Sequence, residues 1–346
     1  MPMSKEAPTL KDLAAKLGLS VSTVSLGLRH CGTISRETRE RIERAAKEMG
    51  FRPNLYAAAL STRSNPVHSH DLPLVILRRR LGKDSKILYP TAGFVASIQE
   101  RCTELGYRTE CFEVQDTKAP ASQLALLFNR GFRGIFLPPE GAWARWEDYD
   151  WSPFAVIACG NEKNCPFHSV TDETFESSRF LLDEMIRRGY RNIGVALVAH
   201  APSILGDDAR MAAAQFVHSK ESKRNKVYLA SADALDEADF ARFVIENKID
   251  AVAAFHVGFY YALKNAGVAI PKEVGFASMH TGYDQWSRHI SGLKVLELEK
   301  GRAAANRMDT MIRHHESGLP AKAEQITFRG EWFPGETLPF RNQPVQ

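Results

Sequence analysis

From Leu72 onward the chain alternates short apolar runs with longer amphipathic ones, and nothing else in the sequence constrains its fold as much. LPLVIL, RTECFEV, GIFLPP, FAVIAC, NIGVALV, KVYLA, DAVAAF and EVGFASM have the length of strands, and helical segments such as SSRFLLDEMIRRGY lie between them. Strands joined through helices run parallel, because each crossover returns the chain to its starting end. The fold class is therefore α/β, with parallel sheets wrapped by helices. A length of 346 residues leaves room for two such lobes with a cleft between them, plus a small module.

That module is the N-terminal end. Thr9-Leu10-Lys11-Asp12 has the form of a capping box, with a carboxylate at the third helical position. Leu10, Leu13, Ala14 and Leu17 keep helical spacing, and Gly18 can take the positive φ that ends the helix. Ser20 begins a second helix, with Val21, Val24 and Leu28 expected on one face. Only Leu17-Gly18-Leu19 separates the two, so they must meet steeply, as in a helix-turn-helix. A third helix follows Ser35, with Ile42, Ala45, Ala46 and Met49 as its apolar stripe and Gly50 as its stop. Its mixed charges suit a solvated face. The outward residues of the second helix, Ser20, Ser22, Thr23 and Ser25, are short hydrogen-bonding groups that allow close approach to a phosphate backbone and a groove floor. DNA binding is the expected role.

The run TLKDLAAKLGLSVSTVSLGLRHCGTISRETRERIERAAKEMGFRPNLYAAALSTR resembles, without gaps for about fifty residues, the DNA-binding headpiece of the lactose-repressor (LacI) family of transcriptional regulators. The resemblance covers the helix-turn-helix, the Ser35-x-x-Thr38-Arg39 opening of helix three and the Gly-Phe-x-Pro-Asn that follows it. It implies a headpiece over 1–61 with a hinge helix at 54–61, and a linker over 62–71. Leu60 falls on the family's leucine that wedges into the minor groove at the centre of a palindromic site. A leucine ending a small-faced helix, here with Asn54 and Ala57, can unstack a base step. The expected DNA-binding residues are Thr9, Leu10, Ser20, Val21, Ser22, Thr23, Ser25, Leu26, Arg29, Ser35, Thr38, Asn54, Ala57 and Leu60. One departure stands out. The family commonly has Val-Ser-Arg where this chain has Val24-Ser25-Leu26, so a guanidinium often used on guanine is missing. Val21 and Ser22, where operator choice usually lies, offer little bidentate readout, and Arg29 is left for a phosphate or base contact. More sequence preference then rests on the hinge leucine and DNA deformability.

The body resembles the same family's core, which is similar to periplasmic sugar-binding proteins, in segments such as Gly131-Phe-Arg-Gly-Ile-Phe-Leu and Met185-Ile-Arg-Arg-Gly-Tyr-Arg-Asn-Ile. The resemblance implies one lobe over 72–168 with a return segment over 297–330, a second lobe over 169–296, and a tail over 331–346. Arg210 falls on the family's ligand-holding arginine; an ion pair with Asp207 or Asp208 is the competing expectation. His256 and His280 stand where relatives carry acids that accept sugar hydroxyls. The implied effector is a sugar or an anionic metabolite, or else the cleft has lost its small-molecule role. Arg78-Arg79-Arg80, closing the first strand at the edge where binding loops sit, is expected to be an exposed cluster, with contact to an anionic ligand as the alternative.

Charge agrees with this division. Lys plus Arg exceed Asp plus Glu by only four over the chain, but residues 1–64 carry +5 and the other 282 carry −1. The expected partners are double-stranded operator DNA and a second copy of the chain, since paired hinge helices need each other in the minor groove. Five cysteines without a C-x-x-C pair suggest reduced thiols, and neither metal nor cofactor is expected. No run is long enough to span a membrane and the N-terminus lacks a signal-peptide core, so the expected location is cytoplasmic, at the nucleoid. A solute-binding protein would carry a secretion signal and no basic head. An enzyme would show a nucleophile, metal or nucleotide motif, and no Gly-x-Gly-x-x-Gly, P-loop, His-Glu-x-x-His or Gly-x-Ser-x-Gly is found.

Overall fold

The computed structural model describes residues 10–28, 34–49, 72–79, 92–114, 120–138, 148–160, 163–198, 204–221, 225–231, 237–255, 257–281, 289–294 and 296–341. The chain divides into two compact units, residues 1–71 and 72–346.

The first unit contains α1 (Leu10–Leu17), α2 (Val21–Leu28) and α3 (Arg36–Met49). Leu13, Val24 and Ile42 are fully buried at its centre with Ala14, Ala45 and Ala46 around them. Gly18, at φ 65°, ends α1: its N–H donates to the Ala15 carbonyl and the Leu19 N–H to that of Ala14, over 3.3 and 3.1 Å. This pattern satisfies two carbonyls at the helix end while turning the chain. Arg41 donates to a third, that of Leu17, over 2.9 Å. Gly27 lets α2 approach α3, since a Cβ there would lie 2.5 Å from Ile42 Cδ1. One expectation is corrected. Val21 does not share the buried face of Val24 and Leu28 but is 41% exposed, because the first turn of α2 lies at the edge of the inward stripe.

Among the described residues, the second unit holds two six-stranded sheets. Its strands are β1 (Pro73–Arg79), β2 (Arg108–Val114), β3 (Gly134–Leu137), β4 (Ala155–Ala158), β5 (His168–Asp172), β6 (Asn192–Leu197), β7 (Lys226–Ser231), β8 (Ala251–Ala254), β9 (Gly275–Thr281), β10 (Ser291–Lys294), β11 (Gln325–Phe328) and β12 (Glu331–Phe333). The sheet orders are β11-β5-β4-β3-β1-β2 and β12-β10-β9-β8-β6-β7. Every pairing is parallel except β10 with β12. Helices α4 (Ala92–Glu104), α5 (Pro120–Asn129), α6 (Thr174–Arg187), α7 (Leu205–Glu221), α8 (Glu237–Glu246), α9 (Gly258–Asn265) and α10 (Glu297–His314) cover them. Strands buried on both faces read as continuous apolar runs, which is why GIFL, AVIA and AVAA carry no alternation.

Each sheet has a core on both faces. On the first, α4 and α10 supply Phe94, Ile98, Cys102, Ala304 and Met308 to one face, and α5 supplies Leu124 and Leu127 to the other, with Trp151 and Phe154. Gly301 makes the α4–α10 crossing close: a Cβ there would strike Ser97 Oγ. On the second, Leu181, Met185 and Val217 cover one face and Phe240, Val244 and Leu263 the other. No described helix is long and apolar enough to cross a membrane.

The lobe boundaries differ from the expected ones at two places. β5 runs to Asp172 inside the first sheet, so residues 169–172 belong there. The expected tail is part of the second lobe: β12 pairs with β10, and Leu338 is fully buried in that lobe's core. The tail's aromatic residues also pack with cations, Arg188 lying 4.5 Å from the Trp332 ring and 4.6 Å from that of Phe340. A fold-based division by strands and return segments misses this because three residues are a weak strand signal. Arg78 is half-buried at the end of β1, while the Arg79 side chain and Arg80 are outside the described residues. Cys102 and Cys159 are buried thiols, but Cys111 is exposed.

Candidate functional site

The outer face of α2 is built by its cap. Ser20 Oγ accepts the Thr23 N–H over 3.0 Å, filling a helix-start donor that has no partner within the helix. The same oxygen lies 2.7 Å from Thr23 Oγ1 and 2.9 Å from Ser22 Oγ, so three hydroxyls form one network. Val24, Gly27 and Leu28 turn inward or to the core edge, Ser22 and Leu26 point away from them, and Val21 lies exposed at the edge of the inward stripe. No acidic or basic residue lies on α2. Ser35 repeats the capping motif for α3, with the Thr38 N–H at 3.3 Å and Thr38 Oγ1 at 2.8 Å. Ser35 and Thr38 are thus engaged with each other at the start of α3. Thr9, Arg29, Asn54, Ala57, Leu60 and His256 lie outside the described residues, as do the side chains of Leu10 and Ser25.

A second site opens at the C-terminal ends of the strands, where open parallel sheets present their binding loops. Asp172 ends β5, His280 lies near the end of β9, Phe255 follows β8 and Arg210 projects from α7. Asp172, Thr174, Ser177, Ser178, Arg210 and His280 line a common pocket. Arg210 is 4% exposed, with its guanidinium 4.4 Å from the Phe255 ring centre and 3.5 Å from Asp207 Oδ1. Asp208, the other candidate partner, instead meets Lys163 at 2.8 Å. The same Phe255 ring stands nearly perpendicular to that of His280, with ring centres 4.8 Å apart.

Two charged residues complete the cleft that sequence reasoning left without a role. Lys300 of α10 reaches Asp172, Nζ to Oδ1 2.8 Å. Burial works against the Asp172 carboxylate, but Lys300, then His280 and Arg210, hold its pKa below the usual carboxylate value. His280 is pushed down to about 3, first by burial and then by the Arg210 charge, with Lys300 adding to it, and so stays neutral near pH 7. Burial raises Glu297, one helical turn before Lys300. Asp172 could have been flagged as a carboxylate at the C-terminal end of a strand. Nothing local marks Lys300, which the chain brings back after 128 residues.

The comparisons with known proteins follow the same division. Residues 9–54 match the family described as "Bacterial regulatory proteins, lacI family". The "Uncharacterized HTH-type transcriptional regulator YkvZ" of Bacillus subtilis (strain 168) is 22% identical over 344 residues, covering 92% of this chain and 97% of its own. The "HTH-type transcriptional repressor PurR" of Edwardsiella ictaluri (strain 93-146) is 26% identical over 191 residues, and that match spans about half of each chain, 54% and 53%. Among solved structures, the lac repressor dimer bound to operator and the anti-inducer ONPF superposes with a TM-score of 0.59, covering 96% of this chain and 100% of that one at 16% identity. At that identity the likeness is one of fold.

Proposed function

We propose that this chain, a member of the LacI family, is a transcriptional repressor that binds a pseudo-palindromic operator as a homodimer. The observation that carries this reading is the capped, uncharged outer face of α2 in a helix-turn-helix within the matched residues 9–54. The headpiece places α2 at the major groove, and Leu60 of each copy enters the minor groove between half-sites. The +5 of residues 1–64 becomes about +10 in a dimer, so operator affinity falls steeply with salt. The chain acts by binding rather than by catalysis, in the cytoplasm.

In the core, a small molecule held between Arg210, His280 and Asp172 alters the angle between the lobes and with it the spacing of the hinge helices. The pairing of Lys300 with Asp172 supports a second reading, in which the cleft is satisfied internally and needs no effector. Genome-wide mapping of bound sites tests the main reading: a palindromic consensus is expected, and scattered sites without one would remove it. Leu60→Ala is expected to weaken operator binding severely with dimerisation intact. Arg210→Ala is expected to abolish the response to any effector so identified, and a retained response would exclude Arg210 as a contact.

A further inference from the structure

The outer face of α2 carries two apolar side chains that the headpiece does not use. Val21 is 41% exposed and Leu26 is partly exposed, and neither belongs to the buried cluster of Leu13, Ala14, Val24, Ile42, Ala45 and Ala46 or to the residues packed on it. Between them stands Ser22, whose hydroxyl is tied to Ser20 at 2.9 Å. The helix has no charged residue and no amide side chain. Guanine is read by a bidentate cation and adenine by a bidentate Asn or Gln, so α2 holds neither of these readers. What it does hold is a pair of aliphatic groups outside the core, one on either side of Ser22 around the helix. The complementary feature of a major groove is the C5-methyl of thymine, the one apolar group that a base edge presents there.

We propose that α2 reads its half-site through thymine methyl groups, with Val21 and Leu26 as the contacting side chains. The proposal rests on the reading of the headpiece as a DNA-binding module. The short hydroxyls of Ser20, Ser22 and Thr23 let the helix sit close enough for aliphatic contact, and their mutual hydrogen bonds spare them a desolvation cost on entering the groove. Selectivity then comes from burying methyl surface on the correct sequence. A cytosine in place of the thymine removes the methyl and offers an amino donor to an aliphatic surface, which leaves that donor unpaired.

The test uses the full-length chain and synthetic duplexes. Bound sequences are first selected from random double-stranded DNA, and each thymine of the selected half-site is then replaced in turn by deoxyuridine, which differs only by the methyl. At the contacted thymines the affinity is expected to fall about four-fold per methyl removed. Val21→Ala is expected to erase the thymine-over-uracil preference at one position and Leu26→Ala at another. Because that preference is a ratio measured within each variant, a partly unfolded headpiece does not alter it. Half-sites that bind equally with uracil, or variants that keep the wild-type ratio, would overturn the proposal while leaving DNA binding in place. Failure to select any sequence above the random pool would instead remove the DNA-binding reading on which it rests.

Discussion

The α2 face and the core cleft solve opposite problems with their polar groups. On α2 charge is absent, and hydroxyls satisfy one another on a surface otherwise left to small and aliphatic groups. In the cleft, charges crowd together and are held by each other: Lys300 by Asp172, Arg210 by Asp207 and the Phe255 ring. A surface that must meet a long polyanion can leave attraction to the charge of the whole module and keep its contact face neutral. An enclosed site cannot, because a buried charge without a partner is costly. The two surfaces should therefore fail in different ways when perturbed.

One core substitution should separate the units outright. Ile42 is fully buried in a cluster of six residues, and Ile42→Ala should cost about 2–5 kcal/mol. A module that small should unfold, abolishing DNA binding, while the core melts as before; a drop in core melting temperature would show that the two units do not fold independently. Asp172→Ala strands Lys300, which is 11% exposed, and should destabilise the core. Asp172 is 33% exposed, so the cost falls short of a fully buried pair, about 2 kcal/mol by chemical denaturation. Lys300→Met should cost less, since it leaves the carboxylate near water.

The third effect depends on pH. His280 sits at about 3 in the folded chain against an ordinary value of 6.5. Below pH 6.5 the unfolded chain binds a proton that the folded chain refuses, so this stabilisation is present above that pH and is lost as pH falls, by about 1.4 kcal/mol per unit. His168, also depressed, adds in the same direction. Denaturation curves at pH 7 and pH 5 should show the loss, and His280→Gln should flatten it in part; an unchanged slope would mean that His280 is not the group responsible. The smallest effect returns to α2. Ser20→Ala removes the cap of Thr23 and should cost the headpiece about 1 kcal/mol.

The headpiece was legible because its signals are local. Gly18 at positive φ, the Ser20 and Ser35 caps and the buried Val24, Ile42, Ala45 and Ala46 each follow from neighbours within a few residues. Val21 was misplaced because a first-turn residue can match an apolar stripe and still lie at its edge. In the core, β1 to β4 and β6 to β9 and their parallel sense were legible from alternation, while β5, β10 and β11, short strands of mixed polarity, were not. The cleft was less so: Lys300 meets Asp172 and Arg210 meets Phe255 only after the sheets are assembled, and no spacing in the sequence encodes those meetings. The edge strand β12 was hidden for a related reason, since its partner β10 and its buried companion Leu338 lie on either side of it in sequence.

The chain passes between the two sheets three times: after β5 into α6, after β10 into α10, and between β11 and β12. Ser177 fastens the first and third passages together, donating to the Glu173 carbonyl while its oxygen accepts the Gly330 N–H over 2.9 Å. One covalent tether would leave the lobes free to swivel, and two would still permit twisting about the line joining them. Three, two of them riveted by a single hydroxyl, leave bending as the compliant motion. The three passages together make a mechanical joint with its axis already chosen, and a molecule bound in the cleft as proposed would only have to select a position along it.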